Sequence, residues 1–463
     1  MAELALWAPQ AWIAGAWQPQ VLLEAGADGR WQRITPHTPP PAQAERLAGP
    51  VLPGLVDAHS HAFQRAFVGL AERRDGEHDD FWSWRDRMYG VALRITPEQL
   101  RAVAAHLYTE LLAGGYTQVC EFHYLQHQSD GQPYADPAAM AWALADAAAN
   151  AGIGLTLLPA VYERAGFAAA ELRPDQRRFR AGVAEVLALQ RRVRAAGRPL
   201  LDCGAALHSL RAARPEALRA LAAASEGPLH IHVAEQQAEV GDCLAATGCR
   251  PIEWLLQNAA LDARWQLVHA THTVTAEIDG VAASGAGVVL CPGTEANLGD
   301  GLPDLRGWLA AGVPLSLGSD SQVTRGWSEE LRWLEYAQRL QLQQRNVAAA
   351  PGRQGATAAR LFDRVLTGGA AAAGFSRWGL QAGARADLLV VDAQEPALIG
   401  LPPSHGLDGL VFAAPARPFA RVLVAGRWRD TAHAGRAQAH RAALQALWEP
   451  APGPHEALTV PTG

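Results

Sequence analysis

The sequence predicts an α/β protein, a (β/α)8 TIM-like barrel with a small β-sandwich domain built from both termini. Three observations predict it. Between Val51 and about Leu317, eight short apolar runs alternate with longer Ala/Leu/Arg-rich stretches of helical periodicity. The runs are apolar on both faces, as parallel strands under a layer of helices must be. Further strand-like pieces stand outside the alternation, at each end of the chain.

Taken in order, residues 1–50 hold short strand-like pieces and then a "TPHTPPPAQ" loop. The eight runs follow: "LPGLVDAHSH", "YTQVCEFHYL", "GIGLTLLPAVY", "LDCGAALHSL", "PLHIHVAE", "WQLVHATH", "GVVLCPGTEANLG" and "VPLSLGSDS". Eight strand–helix alternations close a barrel, and no repeat of fixed period suggests a solenoid. "ADLLVVDA" (Ala386–Ala393) and "RVLVAGRWRD" (Arg421–Asp430) read as strands again. The expected domains are a composite β-domain of residues 1–52 and 384–450 and a metal-dependent barrel of residues 53–383. The Pro/Gly-rich stretch 451–463 is expected to be a loose tail.

Composition narrows the function. The 463 residues are 49% hydrophobic, enough for a large core, and the formal net charge is −6 with the charges interspersed. That balance offers no basic stripe for nucleic acid and no polybasic cluster for a membrane. "MAELALWAPQAWIAGAW" lacks a positive segment before its apolar residues, so no secretory leader is expected, and no run is long enough to span a bilayer. Five cysteines without CxxC spacing fit reduced thiols, hence a cytoplasmic location. Lysine is absent, so Schiff-base, P-loop and pyridoxal phosphate chemistry are excluded, as is a two-metal site bridged by a modified lysine.

In such barrels the reactive side chains gather at the C-terminal ends of the strands. Run one ends in His59 and His61, two residues apart and so on one side of a strand, with Asp57 two residues earlier. Run five carries His232 and Glu235, run six His269 and His272, and run eight ends in Asp320. Singly each has a bland role: a core histidine, or an Asp capping the next helix. Together, three imidazoles and a carboxylate at one barrel mouth form a site for one transition-metal ion, zinc before iron. His272 is expected to be structural.

"VDAHSH", "HIHVAE", "LVHATH" and "GSDS" together resemble the amidohydrolase superfamily, in its deaminase branch with one metal ion. "AFQRAFVGLAER", "FWSWRDRMY", "CEFHYLQH", "LHSLRA", "CPGTEANLGDG" and "EELRWLEYAQRL" further resemble the formimidoylglutamate deiminases of histidine degradation. The resemblance covers nearly the whole chain and implies a homodimer acting on a small dicarboxylate. It implies His59, His61, His232 and Asp320 as ligands of one divalent metal ion. It implies catalytic roles for Asp320, which takes a proton from water, for Glu235, which carries it to the imine nitrogen, and for His269, which stabilises the tetrahedral intermediate. It implies substrate contacts from Gln64, Arg85, Tyr124, His208 and Arg211, since two carboxylates need arginine forks and neutral donors. One departure is "SDSQVTRGW" after Asp320, where the resemblance implies a histidine near Gln322; it puts a loop-eight contact in doubt. Two other readings stay open: a related deaminase acting on a purine such as guanine or adenosine, and a non-catalytic metal-binding barrel.

Overall fold

The computed structural model describes residues 3–74, 79–415, 417–432 and 434–448. The expected tail, 451–463, lies outside the described residues. Each apolar run contains a strand. Barrel strands β6 (Leu55–Ser60), β7 (Tyr116–His123) and β8 (Gly154–Val161) are buried along their whole length. Continuous burial explains their unbroken hydrophobicity: one face fills the barrel and the other meets the helices. Run four splits at Gly204 into β9 (Leu201–Cys203) and β10 (Ala205–Ser209). A Cβ on Gly204 would lie 2.4 Å from the Pro228 carbonyl oxygen, so only glycine fits there. Strands β11 (Leu229–Val233), β12 (Trp265–His269), β13 (Gly287–Leu290) and β14 (Leu315–Leu317) complete the ring. All neighbours are parallel; β14 pairs with β6, and β8 with β10, which closes the barrel while β9 lies along β8.

Run seven is a shorter strand than its composition suggests. β13 stops at Leu290, and Pro292–Leu298 is a helix with proline at its first turn and left-handed Gly299 after its last. Both residues are helix boundary signals.

The terminal strands are β1 (Leu4–Ile13), β2 (Ala16–Ala25), β3 (Trp31–Thr35), β4 (Glu45–Arg46), β5 (Val51–Leu52), β15 (Leu388–Val391), β16 (Phe419–Val424) and β17 (Arg427–Arg429). They form one sheet, ordered β17-β16-β15-β5-β1-β2-β3, with β4 added on β1. β1 and β2 join through Ala14 and Gly15, both at positive φ, the backbone a two-residue hairpin turn requires. The sheet has its own core around Leu6, Leu23, Trp31 and Leu423. β15 serves two cores: Leu388 and Val390 face that one, while Leu389 and Val391 pack with the barrel. The last described helix, Ala434–Trp448, packs on barrel helix α2 (Pro97–Ala113), the second after α1 (Phe81–Ala92). His440 stacks on His106 with ring centroids 4.5 Å apart, and Trp448 Nε1 donates to the Ala66 carbonyl at 3.1 Å. Among the described residues no helix is long and apolar enough to cross a membrane.

Glu110 on α2 ties these layers together. It accepts hydrogen bonds from Arg65 Nε at 2.8 Å and Arg417 Nη2 at 3.0 Å, and Arg325 Nε forms an ion pair with it at 3.3 Å. Burial pushes its carboxyl up, but the Arg65 hydrogen bond and the nearby Arg325 and Arg65 charges outweigh that and hold it at about 2. A folded-state value below the ordinary 4.5 contributes stability that is full above about pH 4.5 and lost as pH falls towards 2. Glu110→Gln leaves three arginines without their counter-charge and is expected to cost roughly 3–5 kcal/mol. Urea melts of both proteins at pH 7 and pH 3.5 check this: the gap narrows at the lower pH, and equal gaps would exclude the carboxylate as its source.

Candidate metal centre and active site

The strand ends converge because of register. At the seam between the first and last barrel strands, Ser60 bridges Asp320: His61 N donates to the Asp320 carbonyl at 3.1 Å, and Asp320 N to the His59 carbonyl at 2.9 Å. Gly318 permits the approach, since a Cβ there would meet the His59 Cβ at 2.6 Å. Five non-glycine residues at these ends, Ala234, His269, Ala270, Asp320 and Gln322, have φ between 46° and 71°. Left-handed backbone is unfavourable for such residues and gathers where function demands a particular side-chain direction.

The three imidazoles face one another through Nε2. The separations are 3.2 Å for His59–His61, 3.3 Å for His61–His232 and 3.0 Å for His232–His59. Asp320 Oδ1 lies 3.4 Å from Nε2 of both His59 and His61. The Nδ1 of His61 donates to the Phe122 carbonyl at 3.0 Å, and that of His232 to the His208 carbonyl at 2.8 Å. A carbonyl can only accept, so the proton sits on Nδ1 and Nε2 presents a bare lone pair. Burial holds His59 at about 3 and lowers His61 and His232 as well, which keeps all three neutral. Converging lone pairs repel unless a cation lies among them. Tetrahedral bonds of about 2.1 Å set ligand atoms roughly 3.4 Å apart, which matches the observed spacing, so the residues present fit one metal ion.

Beside this cluster lies an acid–base group. His269 Nε2 is 3.7 Å from Glu235 Oε1 and 3.8 Å from Asp320 Oδ2, and its Nδ1 is 3.4 Å from Glu295 Oε1. Burial lowers the imidazolium, but Glu235, Glu295 and Asp320 outweigh it and carry His269 up to about 10. Burial raises the Glu235 carboxyl above the ordinary carboxylate range, against the pull of His269. The Asp320 carboxyl is held well down: burial opposes this, but His59, His269 and His61 prevail. One carboxyl thus inclines towards its acid form beside another that stays ionised, the division of labour that proton transfer needs.

Every expected site residue but one lines a single cavity of about 560 Å³, open mouth included: His61, Gln64, Arg85, Tyr124, His208, Arg211, His232, Glu235, His269 and Asp320. The exception, His59, lies fully buried beneath them. Gln64 stands on the 3-10 turn Ala62–Ala66, and its Nε2 is 3.5 Å from the Tyr124 hydroxyl. Arg85 projects from α1 and Arg211 follows β10. Among the described residues, the buried Nε of each arginine has no hydrogen-bond partner. His272 points elsewhere, with Nε2 2.8 Å from the Asp300 carbonyl.

Several supporting residues escape sequence reasoning. Glu295 lies inside a quoted motif but looks like any acid in a helix's first turn; in the fold it meets His269. Glu121 accepts Ser60 Oγ at 2.8 Å, Tyr108 OH at 3.1 Å and Ala62 N at 2.7 Å, which fixes the backbone around His61. Gln322, near which a histidine is expected, is fully buried. Its amide donates to Ser60 Oγ at 3.0 Å and to the Asp320 carbonyl at 2.8 Å, and its Oε1 lies 3.0 Å from Ser319 Oγ. Ser319 in turn donates to Asp57 through N at 2.9 Å and Oγ at 2.5 Å. Gln322 therefore braces the strand ends from behind, and it does not line the cavity.

A closed parallel barrel with such a cluster and an acid–base group at its mouth defines an enzyme built for metal-assisted hydrolysis. The chain belongs to the amidohydrolase family, whose model matches residues 51–429. It is similar to a formimidoylglutamate deiminase of Pseudomonas aeruginosa, 46% identical over 96% of this chain and 99% of the relative. A 5-methylthioadenosine/S-adenosylhomocysteine deaminase of Natronomonas pharaonis is 28% identical over 81% of this chain and 80% of its own. The crystal structure of an amidohydrolase from Brucella melitensis superposes with a TM-score of 0.90 at 41% identity, over 96% of this chain and all of that one.

Proposed function

We propose that this enzyme hydrolyses N-formimidoyl-L-glutamate to N-formyl-L-glutamate and ammonia, with one zinc ion held by His59, His61, His232 and Asp320. The observation that carries this is the cavity itself: two arginines with unsatisfied donors stand across from an acid–base group. The Pseudomonas aeruginosa relative, 46% identical over nearly its full length, supports the same substrate. A bound divalent ion would polarise a water and lower its pKa to about 7.

The chain's own residues handle the protons. Asp320 Oδ2, ionised, takes one from the attacking water as its oxygen adds to the C=N carbon. Glu235 Oε1 delivers a proton to the nitrogen, and His269 Nε2 donates a hydrogen bond to the developing negative oxygen. The proton held by Asp320 then passes to the same nitrogen, the hydroxyl gives its own proton to Glu235 as the C=O bond forms, and breaking the bond to that nitrogen releases ammonia, leaves the formyl group and restores both carboxyls. The arginines, with Gln64, Tyr124 and His208, hold the two carboxylates. A purine ring would want stacking and amide contacts in their place, and a non-catalytic barrel has no use for the Glu235–His269–Asp320 set. Five free thiols, four of them buried, suit a reducing cytoplasm.

Ammonia release tests the activity: the zinc-loaded protein is expected to act on formimidoylglutamate and not on adenosine or guanine. Turnover of a purine at the higher rate would overturn it. Arg211→Met removes a charge-assisted contact worth about 1.5–3 kcal/mol, so kcat/KM is expected to fall roughly ten- to a hundred-fold, mostly through KM. Steady-state kinetics check this, and a wild-type kcat/KM would remove Arg211 from the binding site.

A further inference from the structure

The two proposed carboxylate-binding arginines come from distant parts of the chain, and two like charges at one cavity repel. Something must hold them in place before substrate arrives. Trp82 lies beside both. It stands in the first turn of α1, where the Asp80 side chain accepts Trp82 N at 2.9 Å and Ser83 N at 3.1 Å in a capping box. That cap fixes the helix start and with it the direction of the indole.

One helical turn on, the Arg85 guanidinium carbon lies 4.5 Å from the Trp82 ring centroid. The Arg211 guanidinium carbon, reaching in from beyond β10, lies 5.5 Å from the same centroid. Both are inside the roughly 6 Å range in which a ring's negative face attracts a cation. Arg85 is also 5.6 Å from the Tyr89 ring, whereas the Trp82 contact is the only ring contact seen for Arg211 among the described residues. Neither Nε has a hydrogen-bond partner there, so each fork keeps a donor for a ligand. A π face suits this task, because it attracts both cations without occupying their N–H groups; Arg85 Nη2 has in addition a 3.8 Å ion pair with Asp86.

We propose that Trp82 is a positioning residue for dicarboxylate recognition. Its indole holds Arg85 and Arg211 at a fixed separation and so sets the enzyme's preference for two carboxylates over one. This rests on the arginine-binding role proposed above. Trp82 does not line the cavity that the metal cluster and the acid–base group share, so its loss should act on binding and not on the chemical step.

The test is calorimetric binding of glutarate, a bare dicarboxylate, to metal-loaded wild type, Trp82→Leu and Trp82→Phe, with butyrate as the monocarboxylate control. Two lost ring contacts predict a Kd for glutarate about 3- to 30-fold weaker in Trp82→Leu. Trp82→Phe keeps a ring and should recover most of that, while butyrate should change little in either variant. Leu and Phe fill similar space, so the gap between them is what a purely structural role would not produce, even if both variants melt lower than wild type. Equal glutarate affinity in Trp82→Leu and wild type, or equal loss in Leu and Phe, overturns the clamp. So does a wild type that binds glutarate no better than butyrate. Ammonia release by wild type, run in parallel, tests the proposed activity separately, because the clamp can fail while formimidoylglutamate is still hydrolysed.

Discussion

Glu235→Gln is expected to keep its metal and its fold while kcat falls about 10²–10⁴-fold, the usual span for a lost general acid–base group. The substitution preserves size and one acceptor oxygen and removes only the ability to take and return a proton. Glu235 makes this a sharp test because its neighbours are already committed. Oε1 sits 3.7 Å from His269, and the backbone N of Glu235 is held by Glu239 Oε2 at 3.1 Å. The amide variant can therefore occupy the same place. Metal analysis, thermal melting and ammonia release on the one variant separate the roles. A rate within a few-fold of wild type at full metal content would move proton transfer to another group, with His269 next to test.

His232→Ala is expected to lose the proposed zinc ion. Three Nε2 atoms within 3.3 Å of one another form the cluster, and His232 contributes to two of its edges. Removing it leaves two imidazoles on one strand and a carboxylate across the seam. Loss of even an outer hydrogen-bonding partner of a ligand lowers metal affinity by about 10–100-fold, so loss of a ligand should exceed that. Elemental analysis after dialysis against a weak chelator checks it. Full zinc with normal turnover in His232→Ala would exclude the site. Asp320→Asn serves as the companion, since it keeps the shape but removes the only carboxylate among the four.

Much of this was legible in the linear chain. Apart from β9, where Asp202 is exposed, the barrel strands are buried on both faces, and a strand so placed has to be largely apolar, which is why Leu55–Val56 or Leu155–Leu158 could be read as core without knowing their neighbours. A histidine or acid ending such a run stands out for the same reason: His59, His61, His232, Glu235 and Asp320 interrupt apolar stretches where the strand reaches the mouth. The tailing "CPGTEANLG" misled, because its last residues are apolar or small enough to continue a strand, while proline and glycine mark a helix there. The family resemblance also led to the expectation of a histidine near Gln322. In the fold that position faces Ser60 and Ser319, which one amide reaches with its nitrogen and its oxygen at once.

By itself, then, the sequence determined the eight alternations, the two-ended β-sheet and the histidines and acids at the strand ends, because burial and periodicity are local properties. It also determined that no lysine chemistry operates here. Only the tertiary structure decided which atoms meet. The pairing of Ser60 with Asp320, the carbonyls that fix the tautomers of His61 and His232, the approach of Glu295 to His269 and the shared contact of Arg85 and Arg211 with Trp82 all join distant segments. Their distances follow from strand register and barrel closure. A one-residue slip in a strand turns every side chain to the other face, and no local pattern of residue types encodes that register.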